Sequence, residues 1–202
     1  MSAPILEIDA RHPQPRLVAR AVSALEAGEI IAYPTDTYYA IGCDLMNKRA
    51  VEKLYRLEQR PKTKPLSFLC TDLSDAARYA RISNFAYRTM KRLVPGPFTF
   101  ILPATPLTPE IAMTRQKTVG IRIPDAAIPQ ALVQGLGHPL LTTSATFEGE
   151  PLNDPRTIKE RLGHALALIV DGGFQVFEPS TVVSLLDDQI EVLREGKGKL
   201  PF

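Results

Sequence analysis

Hydroxyl and cationic side chains follow short apolar runs at several points in the chain, and such groups can bind anions. In the first case, residues 33–42, Thr35, Asp36 and Thr37 come directly after an apolar run that Pro34 ends. Hydroxyls and backbone N–H groups at the end of a strand can hold an anion or a small polar ligand. The same residue types also form turns in which Thr35 and Asp36 bond their own backbone. The local pattern alone favours such a turn.

A second segment, residues 56–66, is strongly basic and is restricted by two prolines. Arg56, Arg60, Lys62 and Lys64 place four cations within nine residues, between a helical pattern and the next apolar run. Arg can contact a phosphate through two parallel hydrogen bonds and Lys acts as a point charge, so the segment suits phosphate recognition. A solvated basic loop at the C-terminus of a helix explains the same pattern equally well.

Three further segments place polar groups within or after apolar runs. Arg122 interrupts the run at residues 119–123, and a charge in a half-buried strand is costly unless an acid or an anionic ligand pairs with it. An edge strand whose Arg122 faces water is the competing interpretation. The other two segments follow later apolar runs and contain Thr142, Thr143, Ser144, Thr146, Ser180, Thr181, Arg194 and Gly196.

The sequence lacks the motifs that mark covalent or metal-dependent catalysis. His12, His138 and His164 are isolated, and neither a Ser-His-Asp order nor a Walker-type glycine loop occurs. Polar and basic groups recur instead at strand ends along the whole chain. This pattern favours a binding groove that works by positioning and electrostatics, without a catalytic nucleophile.

The elements that must position these groups alternate between helix and strand. Apolar residues recur at helical spacing in residues 16–27, 50–57, 83–94, 128–136 and 155–162. Short apolar runs predict strands at residues 30–33, 66–70, 98–102, 119–123, 140–143 and 166–170, and a hairpin formed by residues 181–186 and 190–193. The alternation predicts an α/β fold, and the hairpin indicates a mixed sheet. Residues 1–202 contain no recognisable linker and are expected to form a single domain.

The composition is that of an ordinary globular protein. The 202 residues are 45% apolar and 23% charged, and the net charge of +2 does not by itself indicate nucleic-acid binding. The N-terminus lacks the pattern of a signal peptide, and no run of 18 apolar residues could span a membrane. Cys43 and Cys70 fit buried side chains in a reducing compartment, so a cytoplasmic location is expected.

In order and spacing, these segments resemble the YrdC/YciO family, whose better-studied members are threonylcarbamoyl-AMP synthases. The family motifs are a PTDTxYGLG loop, a KxRPxxxPL segment, a PGPxTxxL turn, a TVxxRxP strand, an SxN loop and a late STxx…LRxG pair. They correspond to residues 34–42, 58–66, 95–102, 118–124, 144–146 and 180–196. Each motif alone is weak, but the ordered set covers roughly residues 15–198.

The resemblance implies a twisted mixed sheet flanked by helices, with a concave basic groove on one side. It also implies a reaction in which L-threonine, bicarbonate and ATP with Mg²⁺ give threonylcarbamoyl-AMP and pyrophosphate, for tRNA modification. Thr37, Arg122 and Ser180 would hold threonine. The nucleotide would be held by Arg60, Lys64, Thr118, Ser144 and Arg194. Family members have also been linked to double-stranded RNA binding through the same groove.

Three positions depart from the family pattern. The lysine of the KxR motif falls at Glu58, the asparagine of the SxN motif falls at Thr146, and Ala40 replaces a loop glycine. At ~4 Å and an effective dielectric of about 20, one charge contact is about 4 kcal/mol, so the reversed sign at Glu58 bears on phosphate binding. Thr146 lacks an amide donor, worth roughly 1–3 kcal/mol if its partner stays buried. These departures resemble the YciO branch of the family.

Two functions of different classes therefore remain open. The first is a nucleotide-binding enzyme similar to the threonylcarbamoyl-AMP synthases, with ATP, threonine and bicarbonate as substrates. The second is a double-stranded RNA- or ribosome-binding protein that keeps the basic groove without the chemistry, which the changes at Glu58 and Thr146 would permit. A third possibility is the binding of another nucleotide or metabolite for a different reaction.

Overall fold

Apolar runs along the chain pair into one large sheet. A computed structural model describes residues 2–58, 66–175 and 178–201. Its strands are β1 Ile5–Glu7, β2 Ile31–Pro34, β3 Tyr39–Asp44, β4 Ser67–Leu69, β5 Phe98–Pro103, β6 Thr118–Arg122, β7 Leu140–Ser144, β8 Thr146–Phe147, β9 Glu150–Pro151, β10 Leu168–Asp171, β11 Thr181–Ser184 and β12 Glu191–Arg194. Ten of them lie in the order β1-β10-β2-β3-β7-β4-β6-β5-β11-β12, and β8 pairs with β9 separately.

The ten-stranded sheet is mixed, as the sequence predicts. Strand β4 runs parallel to β6 and antiparallel to β7, and β5 runs antiparallel to β6 and parallel to β11. The predicted C-terminal hairpin is confirmed, because β11 and β12 pair antiparallel. This hairpin places β12 at one edge of the sheet.

Helices flank the sheet: α1 Pro15–Glu26, α2 Lys48–Glu58, α3 Leu73–Tyr79, α4 Asn84–Lys91, α5 Ala127–Leu136 and α6 Pro155–Leu162. Helix α1 shows why these segments fold as helices, since Val18, Ala21, Val22 and Leu25 recur at helical spacing and are buried. Pro15 lies in its first turn, where a missing N–H is tolerated. Gly28 follows its end with a positive φ of 79°, a conformation that favours glycine.

The two faces of the sheet are covered differently. On one face, here called the back face, Phe68, Phe100, Ile121 and Leu141 form a continuous core with apolar side chains of α2, α3, α4 and α6. On the opposite, front face, α1 and α5 pack over one half of the sheet around Tyr33. Side chains alternate between the faces along each strand. The other half of the front face, over β4, β5, β6 and β7, therefore presents its own row of side chains, which line the cavity described below.

The sequence prediction missed strands β1, β3, β8 and β9 and helix α3. Strand β3 was expected as a loop followed by small residues, but all six of its residues are buried, so it shows no alternation that a sequence pattern could reveal. Helix α3 is short and begins at a cap, where Asp72 accepts a hydrogen bond from the Asp75 amide. The helix predicted at residues 83–94 ends at Lys91, before the Val94–Pro95 bond.

Within residues 2–58, 66–175 and 178–201, no helix combines the length and the apolar character needed to cross a membrane. Cys43 and Cys70 are buried and free, as expected. Burial raises the pKa of the Cys43 thiol to about 12, so this group stays protonated at neutral pH.

Replacing Phe100 by Ala should lower the free energy of unfolding by about 3–5 kcal/mol, because this ring is 0% exposed at the centre of the back-face core. Urea titration followed by circular dichroism measures the change. The matched control is Phe174→Ala, since 69% of that residue is exposed, and its effect should stay below about 1 kcal/mol. Equal losses in the two variants would contradict the assignment of the core.

Candidate functional site

The open half of the front face forms a cavity of about 540 Å³. Its walls are mainly hydroxyl groups and two guanidinium groups, with no carboxylate among the described lining residues. Strands β5 and β6 contribute alternate positions, as the two-residue period of a strand requires, whereas β7 contributes three consecutive residues at its end. The cavity is lined by Ser67, Thr99, Ile101, Thr114, Gln116, Thr118, Arg122, Thr142, Thr143, Ser144, Ser180, Val182, Leu193 and Arg194.

Gly120 explains why the middle of this face is hollow. It lies in β6 between Thr118 and Arg122, so it occupies the same face of the sheet as these two residues. A Cβ added to Gly120 would approach the Ser67 Oγ at 3.1 Å. The missing side chain therefore opens space between the hydroxyl of Thr118 and the guanidinium of Arg122.

Arg122 is the most buried cation of the site and forms an ion pair with Asp36. Only 10% of the Arg122 side chain and 7% of the Asp36 side chain are exposed. The Nη2 of Arg122 donates to the Asp36 carboxylate, to the Thr37 Oγ1 at 2.7 Å and to the Thr35 Oγ1 at 3.4 Å. The other Asp36 oxygen accepts from the Asp125 amide at 3.0 Å. The sequence argument that Arg122 requires a partner is therefore correct, and the edge-strand alternative is wrong because β6 is an internal strand.

The ion pair leaves part of the Arg122 guanidinium unsatisfied. Its Nε is buried without a hydrogen-bond partner among the described residues. An unpaired buried donor costs about 1–3 kcal/mol and is uncommon in a folded protein. Such an atom is typical of a group whose hydrogen bonds are completed when a ligand rearranges the site.

The loop at residues 35–38 joins β2 to β3 and bends toward Arg122. Thr35 Oγ1 lies 3.0 Å from the Thr37 Oγ1, accepts from the Thr37 amide at 3.1 Å and donates to the Tyr38 carbonyl at 2.7 Å. The self-bonded turn that the local pattern favours is thus present for Thr35, whereas the Asp36 carboxylate bonds Arg122 and the Asp125 amide instead of its own backbone. This turn also holds the Thr37 hydroxyl beside Arg122. The turn and the ligand site were alternative interpretations of the sequence, and here the turn positions a predicted site residue.

Ser180 and Arg194 form the opposite wall of the cavity. Arg194 Nη2 donates to the Ser180 carbonyl at 2.9 Å and to its Oγ at 3.2 Å, and the Ser180 Oγ lies 2.8 Å from the Thr99 Oγ1. Gly196 is required nearby, because a Cβ there would lie 2.3 Å from the Pro179 carbonyl oxygen. The C-terminal segment can therefore run close beside Ser180.

The C-terminal segment that follows Arg194 also contacts the loop of Asp36, on the Arg122 side of the cavity. Thr181 Oγ1 donates to the Gly198 carbonyl at 2.6 Å, and the Lys197 amide donates to the Pro179 carbonyl at 2.8 Å. The ammonium of Lys197 then donates to the Asp36 carbonyl at 2.6 Å. This segment thus links the Ser180 wall to the loop that holds Arg122.

Hydroxyl pairs order the remaining polar walls. Thr118 Oγ1 lies 2.7 Å from the Thr114 Oγ1, and both line the cavity. The Tyr33 hydroxyl donates to the Thr142 Oγ1 at 2.6 Å. Burial raises the pKa of Tyr33, so its hydroxyl keeps its proton and fixes the orientation of Thr142.

The departures from the family motifs occupy different places. Glu58 ends α2, and its carboxylate accepts a hydrogen bond from the Thr143 hydroxyl at 3.1 Å, so a negative charge lies behind a cavity wall. Thr146 lies in β8 and pairs with Pro151 of β9, and it does not line the cavity. The third departure, Ala40, lies in β3 and pairs through its backbone with the cavity residue Ser144, so of the three changes only that at Glu58 brings a charge beside the cavity wall.

The structure brings most of the predicted site residues together. Thr118, Arg122, Ser144, Ser180 and Arg194 line one cavity, and Thr37 contacts Arg122. Arg60 and Lys64 lie outside the described residues, so their placement stays a prediction. Sequence reasoning missed Ser67, Thr99, Thr114 and Gln116. The alternation within each strand was the signal for Ser67 and Thr99, whereas nothing in the sequence marked the turn at Thr114.

No cluster of three or more His, Cys, Asp or Glu side chains that could hold a metal ion occurs in residues 2–58, 66–175 and 178–201. The protein groups of the cavity are hydroxyls, one amide and two guanidinium groups. Such groups suit an anionic or polyhydroxylated ligand.

The ion pair of Arg122 with Asp36 should show strong energetic coupling. Arg122→Met should lower the free energy of unfolding by about 3–5 kcal/mol, because it leaves a buried carboxylate without its cation. Adding Asp36→Asn should recover part of the loss, with a coupling of about 0.5–3 kcal/mol in a double-mutant cycle measured by urea unfolding. The exposed pair of Lys53 with Glu29, whose side chains are 46% and 43% exposed, is the control and should couple by less than about 1 kcal/mol. Similar coupling in both pairs would contradict a special role for burial.

The amino-acid sequence matches a known protein family. The Sua5/YciO/YrdC family model, described as "Telomere recombination", matches residues 23–196. The uncharacterized protein YciO of Escherichia coli is 40% identical over 195 residues, which are 95% of each chain. The threonylcarbamoyl-AMP synthase of Bacillus subtilis is 35% identical over 198 residues, which are 94% of this chain and 55% of that protein.

Solved structures agree with the sequence comparison. The crystal structure of E. coli YciO superposes with a TM-score of 0.95 at 39% identity and 98% coverage of both chains. The crystal structure of P. abyssi Sua5 in complex with L-threonine superposes with a TM-score of 0.89 at 25% identity, covering 96% of this chain and 58% of that one. The matched family, the shared fold and the motif residues around one cavity lead to the same conclusion: the chain belongs to the Sua5/YciO/YrdC family.

Proposed function

We propose that the cavity binds L-threonine and ATP and supports the formation of threonylcarbamoyl-AMP. The observation that carries the proposal is the Arg122 guanidinium, held by Asp36 and Thr37 in a cavity of hydroxyl groups. Homologous proteins named threonylcarbamoyl-AMP synthase, and a Sua5 structure with L-threonine, support the same assignment.

Threonine fits the end of the cavity between Thr37 and Ser180. A carboxylate can accept two parallel hydrogen bonds from a guanidinium, which makes Arg122 the natural partner of the amino-acid carboxylate. The Thr37 hydroxyl contacts Arg122 and the Ser180 hydroxyl lines the same cavity as Arg122, and these two hydroxyls would hold the amine and the side-chain hydroxyl. Because these hydroxyls are already ordered by Thr35 and Thr99, little entropy is lost when the ligand binds.

ATP fits the rest of the cavity and would bring Mg²⁺ with it as part of the substrate. Thr118, Ser144 and Arg194 offer hydroxyl and guanidinium donors to phosphate oxygens. Arg60 and Lys64 are proposed to add further positive charge. In this arrangement the nucleotide lies beside the threonine amine, and both substrates contact rigid strands.

The proposed chemistry needs positioning and charge, which this cavity can supply without a nucleophile. The threonine amine takes up the carbon dioxide of bicarbonate as a carbamate, and the amine proton and the bicarbonate hydroxide leave together as water. A carbamate oxygen then attacks the α-phosphorus of ATP while pyrophosphate leaves. Holding the two reactants in line converts a bimolecular step into an effectively unimolecular one. Guanidinium groups such as Arg194 stabilise the charge that develops on the phosphates.

Glu58 is proposed to weaken this activity in the present chain. Its carboxylate contacts Thr143, a residue of the cavity wall, and it therefore repels phosphate groups near that wall. We infer that ATP binds more weakly here than in a site with a neutral residue at this position.

Pyrophosphate release from MgATP, with and without threonine and bicarbonate, tests the proposed reaction. The wild-type chain should release pyrophosphate only with all substrates present. Thr37→Val should raise the KM for threonine about tenfold or more, because it removes a hydroxyl bonded to Arg122. Thr105→Val, outside the cavity, is the control and should leave the KM unchanged.

Two outcomes would overturn the proposal. One is a complete lack of pyrophosphate release together with no ATP binding by calorimetry. The other is binding of double-stranded RNA by such an inactive chain, with an affinity that falls steeply with salt, which would favour the alternative function.

Glu58→Gln should tighten ATP binding about tenfold, because it removes a negative charge beside the cavity wall while keeping the shape of the side chain. Isothermal titration calorimetry with MgATP measures the change. Glu52→Gln removes the same charge from the exposed side of α2 and should alter the affinity less than twofold. Equal effects of the two substitutions would show that Glu58 acts only through net charge.

A further inference from the structure

The segment between Asp75 and Glu110 has a local excess of positive charge because it contains no acidic residue. It contains five Lys and Arg residues and no Asp or Glu, although the whole chain has a net charge of only +2. The rest of the chain is therefore net negative, and the basic segment is a local feature. Helix α4 lies at the centre of this segment.

Helix α4 and its C-cap residue present three of these cations, Arg88, Lys91 and Arg92, on one exposed side together with two aromatic rings. Ala86, Thr89 and Met90 are buried against the back-face core, and the remaining side of the helix faces solvent. Successive residues are rotated by about 100° around a helix axis. This spacing puts Arg88, Lys91 and Arg92 in the middle of the exposed side, with Tyr87 at one border and Phe85 at the other. The exposed residues, here called the α4 surface, are Arg81, Phe85, Tyr87, Arg88, Lys91 and Arg92.

The cations of the α4 surface are available to a partner. None of Arg81, Arg88, Lys91 and Arg92 forms an ion pair with a residue of the described parts of the chain. Asp188 contacts this region only at the helix cap, where it accepts from the Ser83 hydroxyl. Helix-dipole compensation accounts for cations near the C-terminus of α4, but it does not account for exposed aromatic rings.

The rings are unusually exposed for their size. Tyr87 is 44% exposed and Phe85 is 36% exposed, and the Lys91 ammonium lies 5.7 Å from the centroid of the Tyr87 ring. Phe85 also lines a shallow cavity of about 320 Å³ with Arg88, Arg92 and Ile190. Cations interleaved with solvent-facing rings can hold a phosphate backbone and stack on unpaired bases at the same time.

We propose that the α4 surface binds single-stranded RNA. Arg81, Arg88, Lys91 and Arg92 contact phosphates, and Phe85 and Tyr87 stack on bases. The surface lies on the back of the sheet, opposite the cavity that holds Arg122, so RNA and the proposed small substrates occupy separate places. An acidic protein segment would use the cations but would not need the two rings.

Fluorescence anisotropy with a labelled 12-nucleotide single-stranded RNA tests the proposal on the full chain. Arg88→Ala with Arg92→Ala should weaken binding about tenfold or more and reduce the slope of log K against log salt concentration by about 1.4, the value for two lost phosphate contacts. Phe85→Ala should weaken binding by roughly 5- to 100-fold through lost stacking. Because no ATP or threonine is present, the result is independent of the proposed reaction.

A matched control removes the same charge elsewhere. Arg16→Ala with Arg20→Ala deletes two exposed cations at the same spacing on α1 and should change RNA affinity less than threefold. Equal losses in the two double variants would overturn the proposal, since they would indicate non-specific attraction. Equal affinity for the RNA duplex, or tighter binding of a polyglutamate peptide than of RNA, would also overturn it. Circular dichroism of each variant verifies that the fold is retained.

Discussion

The buried contact between Arg122 and Asp36 is the constraint on which the site depends. Arg122 belongs to β6, Asp36 belongs to the loop between β2 and β3, and two strands lie between β3 and β6 in the sheet. At about 4.8 Å per strand, the loop can meet Arg122 only by folding over the front face. The ion pair therefore fixes the position of Arg122 in the cavity and places the Thr37 hydroxyl in contact with it. A buried pair of this kind adds little net stability compared with apolar residues, so its contribution here is geometric.

The rest of the fold makes that contact possible because the two faces of the sheet have different roles: the back face forms the main core, and half of the front face is left open. The back face is packed with large apolar side chains and four helices. Burial of this apolar surface stabilises the fold and offsets the smaller apolar burial on the front face. On the front face, α1 and α5 cover only the half around Tyr33. The exposed half can then carry hydroxyl and guanidinium groups, because their hydrogen bonds are completed by one another and by solvent.

The sequence was informative where one residue broke a regular pattern and uninformative where a contact joined distant segments. Arg122 within an apolar strand required a partner, and the hydroxyl groups at strand ends indicated a polar ligand. The identity of Asp36 as partner could not be predicted, since 86 residues separate the two and their meeting depends on the order of strands. Strand β3 escaped detection because it is buried on both sides. That the polar residues at different strand ends meet in one cavity could be expected only from the family motifs and not from the local patterns.

The link from Lys197 to the Asp36 carbonyl joins residues 161 positions apart, only a few residues before the end of the chain. Contacts of such long sequence separation form after most of the chain has been ordered, because closing a long loop costs entropy before it gains contacts. During synthesis, residues 35–38 leave the ribosome long before the segment that completes their surroundings. The sheet can begin to assemble from its N-terminal strands, but the Asp36 loop gains its contact with Lys197 only after the Lys197 segment has bonded to Pro179 and Thr181. The loop that holds Arg122 is therefore one of the last parts of the site to reach its final arrangement.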